Sequence, residues 1–196
     1  GGFACQSFST VNPTKDPFDD RANLYKQMAR IVKEKQPKAF VAENVKGMMT
    51  LHKGAIFKRI LSTFEDAGYK TFYSLLNAAD YGVPQKRERV IIVGIRNDIW
   101  EKKGEFVFPN KTNEKNWVPL SVAVTELAIE NQKYYFSKKA VEGMKRAKNN
   151  MKRGLAQNLN EPCLTITSHL AKVSLNSRDP VLLVNPETEL YRRFTP

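Results

Sequence analysis

Cysteine and histidine are scarce in this chain of 196 residues, which has two of each. Cys5 and Cys163 are too few for a disulfide scaffold, so an intracellular, reducing setting is the simpler expectation. No metal-ligand spacing joins His52 or His169 to the cysteines, and no metal centre is expected. Long apolar runs are missing too. No stretch approaches the roughly 18 apolar residues of a membrane span, and the first residues are not a basic region followed by an apolar signal. These absences exclude a membrane protein. Internal repeats and low-complexity tracts are also lacking. The remaining shortage is of negative charge: 20 acidic residues face 32 basic ones, a net charge of +12. An anionic partner such as nucleic acid explains such a surplus, although a basic surface also serves solubility.

The length suits one domain with a real core, or one domain with a smaller lobe attached. The basic residues concentrate between Lys133 and Arg153, where Lys133, Lys138, Lys139, Lys145, Arg146, Lys148, Lys152 and Arg153 face one acid, Glu142. Beside Tyr134, Tyr135 and Phe136, this run suits phosphate contacts. It equally suits a solvated helix face over core aromatics.

Asp19 or Asp20 is placed to cap a helix whose apolar face is Leu24, Met28, Ile31 and Val32. Lys38 to Ala42 reads as a short buried strand ending at Glu43-Asn44. The clearest helix carries Ile56, Phe57, Ile60, Leu61 and Phe64, with Gly68 as a stop. Tyr69 to Leu76 and Val90 to Ile95 read as strands, joined through the turn-rich Asp80-Tyr81-Gly82-Val83-Pro84. Strand, helix and strand predict an α/β layer. A parallel sheet needs both faces buried, so three strands make a poor independent domain. The sheet is expected to be completed by residues beyond this chain or by a partner, with a small self-contained domain as the alternative. From about Gly104 the texture turns irregular, with a helix predicted from Ser137 to about Ala147 and short strands near Leu164 to Ile166 and Val181 to Val184.

Three polar blocks have chemical content. Cys5 follows two glycines that permit tight backbone geometry, and a thiolate held in an accessible, electropositive loop is a nucleophile. A lone cysteine is also commonly a small buried hydrophobe. Glu43-Asn44 ends an apolar strand, where side chains of α/β sheets face the ligand crevice, or else caps the next helix. In Gln85-Lys86-Arg87-Glu88-Arg89, alternation sends Arg87 and Arg89 to one side, so that two guanidiniums reach one cleft. A solvent face with a Glu88 salt bridge is the other reading.

Together these blocks resemble the C5-cytosine DNA methyltransferase family. Gly2-Phe3-Ala4-Cys5-Gln6-Ser7-Phe8-Ser9 resembles its nucleophile loop, Glu43-Asn44-Val45 its strand-end glutamate motif, and Gln85 to Arg89 its arginine motif. Tyr191-Arg192-Arg193-Phe194-Thr195-Pro196 resembles the opening of a later block. The resemblance implies an α/β fold: part of an S-adenosylmethionine-dependent methyltransferase mixed sheet with helices on both faces, plus a smaller irregular target-recognition lobe. It divides the chain into a partial catalytic core over 1–100, a recognition region over 101–188 and a return to the core over 189–196. Cys5, Glu43, Arg89 and Arg87 are the implied catalytic residues, and Asn44 the implied cofactor contact. DNA contacts fall to Gln6, Ser7, Ser9, Gln85, Lys133, Lys138, Lys145, Arg146, Lys152, Arg153, Thr165 and Thr167.

The implied reaction moves a methyl group from S-adenosylmethionine to C5 of a flipped cytosine in duplex DNA through a covalent Cys5–C6 adduct. A noncatalytic nucleic-acid-binding subunit of the same fold and a tRNA cytosine methyltransferase are the alternatives. The implied partners are duplex DNA, a missing cofactor-binding portion from the same enzyme or a separate chain, and a cognate restriction endonuclease. The implied location is the bacterial cytoplasm or nucleoid. Ala4 departs from the family, which has proline before the cysteine. Proline presets one backbone dihedral, so Ala4→Pro is expected to raise the methyl-transfer rate of the complete enzyme. An unchanged or lower rate contradicts that expectation.

Overall fold

A computed structural model describes residues 1–3, 24–114, 116–148, 155–166 and 181–195. The chain divides into two compact units, Gly1–Asn77 with Glu88–Asn110, and Ala78–Arg87 with Lys111–Pro196.

The first unit is built on a three-stranded sheet of β1 (Ala39–Val45), β2 (Tyr69–Asn77) and β4 (Glu88–Arg96), in the order β1-β4-β2. β4 is antiparallel to both neighbours. No two of these strands therefore pair in parallel, while the α/β character expected from strand-helix-strand spacing holds. β1 and β2 run the same way, as a helical crossover requires, and β4 returns between them. Its central place explains its nearly unbroken apolar run, Val90 to Ile95, because both faces are covered at least in part. Residues 1–3 add a parallel element at the other edge of β1. Gly2 bridges Glu43, the Gly1 nitrogen donates to the Val41 carbonyl at 2.7 Å, and the Glu43 amide donates to the Gly1 carbonyl at 3.1 Å.

One sheet face carries Phe40, Ala42, Val90 and Ile92 against α1 (Leu24–Lys35) and α3 (Ala55–Glu65). α3 buries Phe57, Ile60 and Phe64, as its spacing predicts. α1 is present, but its buried face is Tyr25, Ala29 and Val32, while Ile31 is 52% exposed. The face turns this way because Tyr25 meets Phe3, their rings 6.3 Å apart, inside the shared core. Phe40 stacks between Phe64 and Tyr69, at 4.6 and 5.3 Å between centroids, and lies directly over Gly94. A Cβ at Gly94 would stand 2.0 Å from the Phe40 ring, so only glycine fits there. On the opposite face Phe72 packs on Trp100 of α4 (Asn97–Lys103) and on Phe106. Helices thus lie on both faces of the sheet. Between β1 and α3, α2 (Gly47–Thr50) is followed by a turn in which His52, Lys53 and Gly54 all have positive φ.

The second unit is less regular. β3 (Gln85–Lys86) pairs in parallel with β5 (Cys163–Leu164), and β6 (Leu182–Asn185) forms a hairpin with β7 (Leu190–Arg192). α5 (Lys138–Lys148) begins at Ser137, whose hydroxyl accepts from the Ala140 amide. It buries Val141 and Met144 against Phe136, Val181 and Tyr191. A second cluster joins Leu120, Cys163 and Leu182. Residues 78–87 and 189–195 pack within the second unit. The pairing of β3 with β5 fixes the former, and the β6–β7 hairpin fixes the latter. Among the described residues, no helix is long and apolar enough to cross a membrane.

Candidate active site

The register of β1 on β4 sets the position of the acid. Glu43 pairs with Ile91 and Val45 with Arg89, so Glu43 and Arg89 occupy diagonal positions on one sheet face. Their side chains meet, with Arg89 Nε 2.8 Å from Glu43 Oε1. Arg89 also donates to the Glu88 carbonyl at 2.8 Å, which leaves its fork held at two points. The Glu43 side chain is 41% exposed and that of Arg89 21%. An ion pair so open to solvent adds little to stability, of order 0–1 kcal/mol. Its chemical value is orientation: a carboxylate and a planar donor, held side by side at a strand end, are ready for a ligand with adjacent donor and acceptor atoms. Glu43 does not cap the following helix, since the residue at that helix start is Lys46.

Asn44 points the other way. It is 2% exposed, its Nδ2 donates to the Phe3 carbonyl at 3.1 Å, and its Oδ1 accepts from the Val45 amide at 2.9 Å. Its amide is turned into the protein and fastens Phe3 to the end of β1. Gly2 supports the same fastening, because its Cα lies so near Glu43 that a Cβ would touch the Glu43 carbonyl at 3.4 Å and Oε2 at 3.6 Å. Phe3 and Tyr25 hold together the two flanks of residues 4–23. Cys5, Gln6, Ser7 and Ser9 lie outside the described residues, as do Ala4, Asp19 and Asp20.

The block Gln85 to Arg89 does not behave as one strand. β3 covers Gln85 and Lys86, β4 starts at Glu88, and Arg87 lies between them, its carbonyl accepting from the Ala78 amide. The break belongs to two different pairings, β3 with β5 and β4 with β1 and β2. Arg87 and Arg89 consequently fall in different units, and the simple alternation expected for them does not hold. Glu88 does form a salt bridge, but with Lys46 at 3.0 Å.

Among the residues expected to meet DNA, Thr165 follows directly on β5, and its hydroxyl donates to the Lys86 carbonyl at 2.9 Å. Lys133 and Lys138 are exposed, the former with its ammonium 4.9 Å from the Tyr134 centroid. Lys145 is engaged by Glu189 in the β6–β7 turn, and that hydrogen bond is the first cause of its raised pKa. Arg146 faces Glu142 at 3.7 Å. The outer side of α5 is thus a charged, solvated face over core aromatics, with both features foreseen for that run. Lys152, Arg153, Thr167 and His169 lie outside the described residues.

Cys163 is 1% exposed, and burial pushes its thiol up to about 11. It is a protonated core residue at neutral pH. Arg192 is 3% exposed and donates to the carbonyls of Leu127, at 2.7 Å, Glu126 and Arg193. It holds the 126–127 turn rather than presenting its charge to solvent.

Sequence reasoning passed over a cluster around Asp80. This aspartate is 6% exposed, and its Oδ1 accepts from Trp117 Nε1 at 2.8 Å while Lys111 approaches Oδ2 at 3.4 Å. Lys86 sits over the Trp117 ring at 5.3 Å and pairs with Glu161 at 3.0 Å. That hydrogen bond from Lys86 is the first cause holding the Glu161 carboxyl below its usual value. Asp80 was legible only as a turn residue, because its partners lie more than thirty positions away.

The family model described as C-5 cytosine-specific DNA methylase matches residues 1–179. Over 138 residues the chain is 46% identical to the type II methyltransferase M.BspRI of Lysinibacillus sphaericus, covering 69% of this chain and 32% of that protein. Over 153 residues it is 39% identical to M1.ScrFI of Lactococcus lactis subsp. cremoris, covering 78% and 38%. The chain thus spans about a third of the length of these curated relatives. Two solved structures share its fold across the whole chain. Dnmt2 methyltransferase of S. pombe aligns with a TM-score of 0.64 at 15% identity, covering 62% of that chain. The Entamoeba histolytica methyltransferase EhMeth aligns with a TM-score of 0.65 at 17% identity, covering 56% of that chain. With the family model matching most of its length, this chain belongs to the C-5 cytosine-specific DNA methylases.

Proposed function

We propose that the chain is the part of a DNA cytosine-C5 methyltransferase that supplies the nucleophile, the acid and the arginine, and that its second unit reads the target. The observation that carries this reading is the Glu43–Arg89 pair at the end of β1, with residues 1–3, which precede Cys5 in sequence, tethered to the same strand through Gly2 and Asn44.

In this mechanism a cytosine leaves the stack and is held by its polar edge. Arg89 donates to O2, and Glu43 bonds or protonates N3, drawing electron density from the ring. The Cys5 thiolate adds to C6, forming a C–S bond as the C5=C6 pair shifts to C5. S-adenosylmethionine, bound by the whole enzyme, supplies the methyl group that C5 accepts. Loss of the C5 proton then restores the double bond and expels the thiolate. Asn44 is the candidate cofactor contact of this chain, and the rest of the cofactor site falls to a further portion of the enzyme.

Lys133, Lys138 and Arg146, with Lys152 and Arg153, would neutralise phosphates and set affinity rather than sequence choice. Gln85, Thr165 and Thr167 are the candidates for contact with the target, Thr165 as an acceptor because its proton is engaged. Gln6, Ser7 and Ser9 are further candidates for DNA contact by their place beside Cys5 in the sequence. The names of the relatives suit a bacterial enzyme paired with a restriction endonuclease, acting in the cytoplasm or nucleoid.

The test gives the whole enzyme labelled S-adenosylmethionine with duplex DNA and, separately, with tRNA. Label at C5 of cytosine in the duplex is the expected result. Label only in tRNA, or in neither while both bind, contradicts the assignment.

A further inference from the structure

The Asp80 cluster has no part in the chemistry above, yet it contains a nearly buried carboxylate, and all its partners lie in the second unit. Two segments distant in sequence converge on residues 80–86. From 111–117, the Thr112 and Asn113 amides donate to the Asp80 carbonyl at 2.9 and 3.0 Å, and Trp117 and Lys111 approach its carboxylate. From 161–165, the Cys163 amide donates to the Pro84 carbonyl at 2.9 Å, Thr165 donates to the Lys86 carbonyl, and Glu161 pairs with Lys86. Lys86 joins the two sides, its ammonium shared between Glu161 and the Trp117 ring.

A carboxylate this buried is costly unless it is hydrogen-bonded, and the bond from a neutral indole to a charge is stronger than an ordinary one. Hydrogen bonding alone would be met by many side chains. Trp117 adds a rigid plate whose edge is fixed by Asp80 and whose face is occupied by Lys86, so the indole orientation and the position of β3 are mutually determined. Gln85 and Arg87 flank Lys86 directly, and Thr165 is tied to its carbonyl.

We propose that Asp80 and Trp117 are positioning residues: their hydrogen bond is a clasp that fixes Gln85 of β3 against β5 and the Thr165 that follows it. The clasp governs DNA affinity and target discrimination and leaves the chemical step unaffected. This rests on the methyltransferase reading above.

The experiment uses the whole enzyme and a duplex whose methylated site has first been mapped by bisulfite sequencing. Trp117→Phe keeps the ring and loses the N–H, whereas Asp80→Asn keeps the shape and loses the charge. Each is expected to raise KM for the duplex about tenfold and to erode the preference over a one-base-changed site, with kcat held within about threefold. The indole N–H signal lost in Trp117→Phe assigns Trp117 among the tryptophans of the whole enzyme. In the indole N–H region of an NMR spectrum, Asp80→Asn is expected to move the Trp117 signal and spare that of Trp100. A merely structural bond would lower the active fraction and kcat together and leave KM and discrimination unmoved, and that outcome overturns the proposal. Unchanged kinetics in Trp117→Phe overturn it as well. If the unaltered enzyme methylates no DNA while the indole signal still moves, the methyltransferase reading has failed, and the kinetic role of the clasp falls with it.

Discussion

Glu43→Gln is expected to lower the single-turnover rate of methyl transfer by about 10²- to 10⁴-fold, the usual range for removing a positioned general acid. Glutamine preserves the size of the side chain and its place on β1 and can still accept from Arg89. It has neither the charge that orients the guanidinium nor a proton to give the ring nitrogen. The pair is open to solvent on both sides, so its loss costs the fold at most about 1 kcal/mol. The prediction is therefore a large kinetic defect in a protein whose unfolding midpoint hardly moves. Rapid-quench measurement with excess enzyme, beside a denaturation curve, separates the two quantities. A rate within about threefold of the unaltered enzyme would remove Glu43 from the mechanism.

Gly94→Ala is expected to have the opposite profile. The added methyl would meet the Phe40 ring at 2.0 Å, far inside van der Waals contact. Phe40 has no room to retreat, because Phe64 and Tyr69 stand against it at 4.6 and 5.3 Å. Overpacking of this kind costs about 1–3 kcal/mol. Phe40 and Gly94 are partners in the register of β1 on β4, the same register that sets Glu43 beside Arg89. Stability measured by urea unfolding should fall by that amount, and Phe40→Leu introduced with Gly94→Ala should recover part of it by removing the obstructing ring. If Gly94→Ala is as stable as the parent, the packing of Phe40 over Gly94 is wrong.

Local pattern made much of the first unit legible. The spacing of Phe57, Ile60 and Phe64 is a helical property of consecutive residues, and α3 lies where it indicates. β2 and β4 likewise follow from short apolar runs bounded by turns. What depends on distant partners was not legible. Nothing in Val90 to Ile95 says that this strand inserts antiparallel between β1 and β2, because that order is set by pairing across the sheet. The face of α1 turned by one residue because Tyr25 found Phe3. At the site, the glutamate and the arginine were visible as polar residues at strand ends, and β-register joined them. The bond from Asn44 to the Phe3 carbonyl was not legible, because burial, which no adjacent residue announces, turned its amide inward. Asp80 and Trp117 escaped notice for the same reason, being 37 positions apart and meaningful only together.

The central claim is that the Cys5 segment delivers a nucleophile to a cytosine held by Glu43 and Arg89. Its most direct test incubates the whole enzyme with S-adenosylmethionine and a library of duplexes carrying 5-fluorocytosine, followed by mass spectrometry of the protein. Fluorine cannot leave as the C5 proton does, so the adduct is trapped. The other cysteine of these 196 residues, Cys163, is buried and protonated and supplies no competing thiolate. The account predicts a DNA adduct on the peptide containing Cys5 that vanishes in Cys5→Ser. An absence of adduct across the library, in protein shown to bind both DNA and S-adenosylmethionine, would contradict it.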